Sequence, residues 1–121
     1  MNPIAGPLYH LALADEWRAV VEAGEDYCRS TVGRSLEEEG FIHTSFADQV
    51  EGTARAYYQN LDVVLLEIDP EAVPSPIRLD ELPDGREFPH IYGPIPTAAV
   101  RAAVPVPKGS DGNLDLSGLL R

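Results

Sequence analysis

The chain carries three histidines, each in a short apolar or aromatic segment: Leu8-Tyr9-His10-Leu11, Gly40-Phe41-Ile42-His43-Thr44-Ser45 and Phe88-Pro89-His90-Ile91-Tyr92-Gly93. Imidazole is the side chain whose ordinary pKa lies nearest neutrality, so it can hydrogen-bond, ligate a metal or move a proton. Solvated histidines fall mostly among polar residues, and a buried polar group needs a partner. The pattern therefore points to a shared site on which three distant segments converge. The plainer reading is three separate histidines, each satisfied by a backbone carbonyl.

Other chemistries are less well served. Three neutral imidazoles and a water make a standard catalytic zinc set, with Asp80 as a further donor. No H-x-x-x-H or C-x-x-C spacing anchors a metal locally, so no metal is expected and a zinc hydrolase is the lesser alternative. Cys28 stands in a polar stretch without an adjacent base, and there is no G-x-S-x-G elbow for a serine nucleophile. No G-x-G-x-x-G occurs, which excludes dinucleotide binding of the Rossmann type.

The chain of 121 residues is long enough for one core, and residues 1–107 read as a single domain. Residues 108–121, rich in Gly, Ser and Asp, read as a flexible tail, although Leu114, Leu116, Leu119 and Leu120 could dock on a neighbour. No apolar run approaches the ~20 residues of a membrane span. The first residues lack a basic and apolar leader, and the single cysteine cannot form an internal disulfide, so a cytoplasmic location is expected. Twenty acidic residues against nine basic ones give a formal net charge of −11. Such a surface repels phosphate backbones, and nucleic acid is not expected as a partner. The arginines are scattered in sequence; folding could still gather a few into a basic pocket for one small phosphate-bearing ligand.

These side chains must be positioned by short elements. Leu8–Leu11 reads as a strand after the Gly6-Pro7 break, and residues 15–23 as a helix with Leu13, Trp17, Val20 and Val21 on one face. Gly24 is a natural helix stop. Ser35-Leu36-Glu37-Glu38 can open a helical turn that ends at Gly40, and its glutamates read as a solvated face. Gly40–His43 reads as a strand. Ser45 and Asp48 fit a capping box for a helix whose apolar face is Phe46, Val50, Thr53, Ala54 and Tyr57, which puts His43 at a strand-to-helix junction beside free backbone N–H groups.

The run Val63–Ile68, apolar but for Glu67, is typical of a buried central strand. Ile77–Asp80 and Phe88–Tyr92 follow as strands around the turn at Asp84-Gly85. A helical turn at Thr97–Val100 precedes a last strand through Val104 and Val106. Five or six short strands with two main helices predict an α+β fold built on a mixed, strongly bent sheet.

Taken in order, the three histidine segments and the step Arg78-Leu79-Asp80 resemble the bacterial family known as domain of unknown function 952, over roughly residues 8–106. That family is in turn similar to the ADP-ribosyltransferase fold superfamily. The resemblance implies an ADP-ribosyltransferase-like domain that takes NAD as its substrate. It implies that His10, beside Tyr9, contacts the nicotinamide ribose or amide, and that His43, followed by Thr44 and Ser45, lines the nicotinamide pocket. Asp80 stands where the family carries Glu, one methylene shorter, in the place of the acidic catalytic residue. The adjacent Glu81 would point to the other face of a strand. His90, ahead of Tyr92, would act as acid or base or order the carboxylate. The function expected is binding of a nucleotide ligand with ADP-ribosyl transfer or NAD hydrolysis. A non-enzymatic module that binds a small ligand or a protein is the main alternative.

Overall fold

A computed structural model describes residues 6–116, 118 and 119. Leu120 therefore lies outside the described residues. The first strand, β1 (Leu8–Leu13), alternates between two apolar environments with the period of two that a strand imposes. Leu8 and Ala12 enter one buried cluster, Tyr9 and Leu11 the other. His10 falls on the same face as Leu8 and Ala12, so a polar ring is carried into the core. The third strand, β3 (Val63–Ile68), does the same with Val64, Leu66 and Ile68 on one side and Val63 and Leu65 on the other. Burial on both faces is why its sequence is apolar from Val63 to Leu66 and again at Ile68, with only Glu67 between them.

Between these strands lie α1 (Ala14–Ala23), the single turn α2 (Leu36–Glu39), the two-residue strand β2 (Ile42–His43) and α3 (Val50–Tyr57). After β3 come β4 (Ile77–Glu81), β5 (Glu87–Ile91) and β6 (Val100–Pro105), with 3-10 turns at Pro70–Ala72 and Thr97–Ala99. The strands form two three-stranded sheets, ordered β1-β3-β6 and β2-β5-β4, and every pairing is antiparallel. This corrects the expected mixed, bent single sheet. The division falls at residues 44 and 45. Thr44 still bonds to Pro89 with its amide and its hydroxyl, whereas Ser45 exchanges backbone hydrogen bonds with Tyr9 of β1. One residue thus closes the second sheet and the next joins the first.

The second sheet packs Ile42, Ile91 and Ile77 against the Leu8 face of the first. On the opposite side of the first sheet, α3 contributes Val50 and Ala54, joined by Tyr58, Val106 and Leu116. Leu116 is 1% exposed, so the apolar core continues past residue 107, where the sequence reading ends the domain. No helix among the described residues is long and apolar enough to cross a membrane.

Local signals act as their chemistry requires at several ends. Gly24 closes α1 in the left-handed region at φ 68°. Ser35 and Glu38 form a reciprocal capping box on α2. Two helical expectations need correction. The proposed box of Ser45 and Asp48 does not form, because Ser45 is committed to β1 and its hydroxyl meets that of Thr53 at 3.3 Å. α3 begins only at Val50, so His43 does not sit at a helix N-terminus. Val21 and Tyr57, assigned to apolar faces, are 51% and 59% exposed. Each helix covers the core with a narrow stripe, and a step of one residue turns about 100° away from it. Tyr58, just past α3, takes the buried place instead.

A histidine-lined cleft as the candidate functional site

Strand register builds the site. Ile42 lies opposite Ile91, and Ile91 opposite Ile77, which forms the core-facing row. One residue along, His43 lies opposite His90 and His90 opposite Arg78, on the other face of the same sheet. Directly paired residues bring their Cβ atoms within about 5.5 Å. His43 Nδ1 and His90 Nε2 accordingly stand 3.0 Å apart. His90 Nδ1 is 2.8 Å from Asp80 Oδ2, and the Tyr92 hydroxyl donates to that same oxygen.

The polarity of this chain follows from its end. An ionised Asp80 accepts only, so His90 must donate from Nδ1. Neutral His90 then accepts at Nε2, and His43 donates from Nδ1. The lone pair of His43 is left on Nε2. Phe41 lies flat on the His90 ring, with centroids 4.0 Å apart and planes at 12°. This stacking fixes the orientation of the His90 ring, which is tilted 53° to that of His43.

His10 belongs to the same network but behind it. Its Nδ1 donates to the His43 carbonyl at 2.6 Å, and its Nε2 accepts from the Tyr27 hydroxyl at 2.8 Å. Tyr9, His10, Thr44 and Ser45, four of the residues read as ligand contacts, are at most 2% exposed and lie beneath the site. A three-histidine metal set is not assembled, since both ring nitrogens of His10 are directed elsewhere. Among the described residues no group of three or more His, Cys, Asp or Glu is placed to hold a metal.

His43 and His90 line an open cleft of about 490 Å³. Phe41 and Phe88 line it beside them, and Gly52, Ala56 and Tyr57 of α3 form the opposite wall. Its charged residues are Arg34, Glu39 and Arg86. Asp80 and Tyr92 do not line it; Asp80 reaches it through His90, and Tyr92 packs its ring against the lining residue Phe41. Asp80, not Glu81, faces the histidines, as alternation along β4 requires.

The histidines are held neutral. Burial depresses His10 to about 4, against the support of the His43 carbonyl. Burial, with the neighbouring His90 and His10, also depresses His43 to about 4. Burial lowers His90 too, opposed by Asp80 and by the charge of Glu39. For Asp80, partial burial works to raise the carboxyl. The hydrogen bonds from Tyr92 and His90, with the charge of Arg78, outweigh it and keep the group ionised.

Sequence reasoning missed Tyr27, Phe41, Arg34, Glu39 and Arg86. Phe41 stood inside a recognised segment without a role. Tyr27 carried no pattern at all, because it reaches His10 through a single bridge to Ile95. The glutamate run hid the difference between Glu39, half-buried in the cleft, and the exposed Glu37 and Glu38.

Fold and site together define a small α+β protein with two antiparallel sheets and a histidine-lined cleft between sheet and helix. Residues 11–103 match the family described as "Protein of unknown function (DUF952)", and the chain belongs to that family. The crystal structure of protein CC0527 from Caulobacter crescentus has a similar fold. Its TM-score is 0.80 at 24% identity, covering 93% of this chain and 96% of that one. The solution NMR structure of CC0527 gives a TM-score of 0.72 at 25% identity, over 94% and 96% of the two chains. No curated protein matches the chain.

Proposed function

We propose that the cleft binds a nucleotide of the NAD or ADP-ribose type, and that His43 is the general base for transfer or hydrolysis at the nicotinamide ribose. One observation carries this reading: the Asp80–His90–His43 chain ends on the unprotonated Nε2 of a histidine that lines a cleft. Aromatic walls suit a planar ring, and the two arginines suit phosphate.

In this reaction the ribose–nicotinamide bond breaks, and its electron pair leaves with nicotinamide. Positive charge develops on the ribose. An acceptor hydroxyl or water then attacks the ribose and gives its proton to His43 Nε2. The resulting imidazolium donates from Nδ1 to His90, whose other nitrogen is held by the Asp80 carboxylate. Asp80 acts through His90 as a positioning residue and does not touch the ribose.

The binding-module alternative is favoured by a different observation. Every buried side-chain nitrogen and oxygen among the described residues already has a partner, as a purely structural network requires.

The test is calorimetric titration with NAD beside chromatographic assay of free nicotinamide. Wild type should bind NAD and release nicotinamide. His43→Gln should retain binding and lose release by about a hundredfold or more, the usual worth of a general base. Binding without release in the wild type would favour the module, and neither binding nor release would remove the proposal.

A further inference from the structure

The charges around the cleft run against the charge of the chain. The protein carries −11, yet the charged lining of the cleft is Arg34, Arg86 and one carboxylate, Glu39. With both histidines neutral, the lining carries two arginines against one carboxylate, with Asp84 paired to Arg86 just outside it, a far less acidic spot than the rest of the molecule. Ion pairing separates the two arginines, since Arg86 is paired with Asp84 and Arg34 is not. Six cations of the described chain each hold a carboxylate. Arg34 and Arg78 are the two among the described residues that do not.

Arg78 has another use, since its guanidinium lies 5.5 Å from the centre of the Tyr92 ring. Arg34 makes no side-chain hydrogen bond or ion pair within 4 Å, although its charge reaches the Glu38 carboxylate; it is exposed on the lip of the cleft with its N–H donors open. Arg86, on the hairpin between β4 and β5, pairs with Asp84 through Nε at 2.7 Å, which leaves its two terminal amino groups open. Its guanidinium is steadied 5.3 Å from the centre of the Phe88 ring, another lining residue.

We infer that Arg34 and Arg86 form an anion subsite of the cleft that takes a pyrophosphate or similar phosphate-bearing group. The inference rests on placing the ligand in this cleft and assigns its charged end. Two guanidinium forks from different segments match the spread oxygens of a diphosphate better than a single carboxylate. The opposing carboxylate, Glu39, stands beside His90, whose protonation it favours. It therefore marks the histidine end of the cleft as unsuited to a second anion, so that the phosphates belong at the arginine lip and the uncharged or cationic part of the ligand at the histidines.

The experiment is NMR titration of the full chain with inorganic pyrophosphate, ADP-ribose and adenosine at low and high salt. Wild type, Arg34→Gln and the remote Arg101→Gln are compared. Pyrophosphate and ADP-ribose should shift resonances of Thr31, His43 and Phe88, and adenosine should bind more weakly than ADP-ribose. Arg34→Gln should weaken both anions by about tenfold, the loss of one charge-assisted contact, while Arg101→Gln leaves them unchanged. Pyrophosphate shifts scattered over the surface, or equal affinity in Arg34→Gln, would overturn the subsite. Nicotinamide release with no pyrophosphate effect would sink the subsite and spare the catalytic reading. Pyrophosphate and ADP-ribose binding with no release would do the reverse.

Discussion

The imidazoles of His43 and His90 face each other at 3.0 Å, Nδ1 to Nε2, because β2 and β5 pair them directly across the sheet. Only one proton can lie between those nitrogens while both rings are neutral. The Asp80 carboxylate, at the far side of His90, decides which ring supplies it.

This arrangement predicts opposite shifts from two neighbours of His90. Asp80 favours protonated His90, so Asp80→Asn should lower the pH at which the pair takes up its first proton. The Tyr92 hydroxyl shares the oxygen that holds His90 and weakens it as an acceptor. Tyr92→Phe should therefore raise that pH. Histidine NMR titration reads both, and the midpoint belongs to the coupled pair. Shifts of the same sign in the two variants would refute the proton assignment.

Acid should destabilise the fold well before most carboxylates titrate. His10 is 2% exposed and depressed from an ordinary 6.5 to about 4 by burial. Below pH 6.5 the unfolded chain takes up a proton that the folded chain refuses. Stability present above that pH is lost as pH falls toward 4, by about 3 kcal/mol for this one group. His43 acts in the same direction. Urea unfolding at pH 7 and pH 4.5 measures the difference, and a flat profile would contradict the buried neutral state.

Tyr27 should matter for stability although it lies outside the cleft lining. It is 1% exposed, and its hydroxyl is the partner of His10 Nε2. Tyr27→Phe leaves that nitrogen buried and unpaired, at a loss of about 1–3 kcal/mol. Denaturant midpoints check this. The His43–His90 titration should move little while His10 stays neutral, since its hydrogen bond to His43 is to the backbone carbonyl.

Much of the architecture was legible because its causes are local. A short apolar run after the Gly6-Pro7 break marks β1, a nearly continuous apolar run marks β3, and Ser35 with Glu38 marks α2. Where two local signals competed, the nonlocal one prevailed. Ser45 looks like a helix cap, but its backbone satisfies two hydrogen bonds with Tyr9, and the helix starts later. Val21 and Tyr57 were misassigned for a different reason: a helix too lightly packed to bury a broad face leaves the edge of its stripe in water.

The sequence alone determined that three histidines sit in apolar strands, that the chain is acidic and α+β, and that Asp80 and Glu81 occupy opposite faces of β4. These follow from residue type and from the alternation of a strand, both properties of neighbouring residues. Only the tertiary structure decided that His43 pairs with His90, that His10 is sealed behind them against Tyr27, and that Arg34 and Arg86 share the cleft. Those relations depend on strand register and on which distant segments meet. A one-residue slip of β2 against β5 would put Ile42 where His43 now stands and dissolve the network, and nothing within either segment records that register.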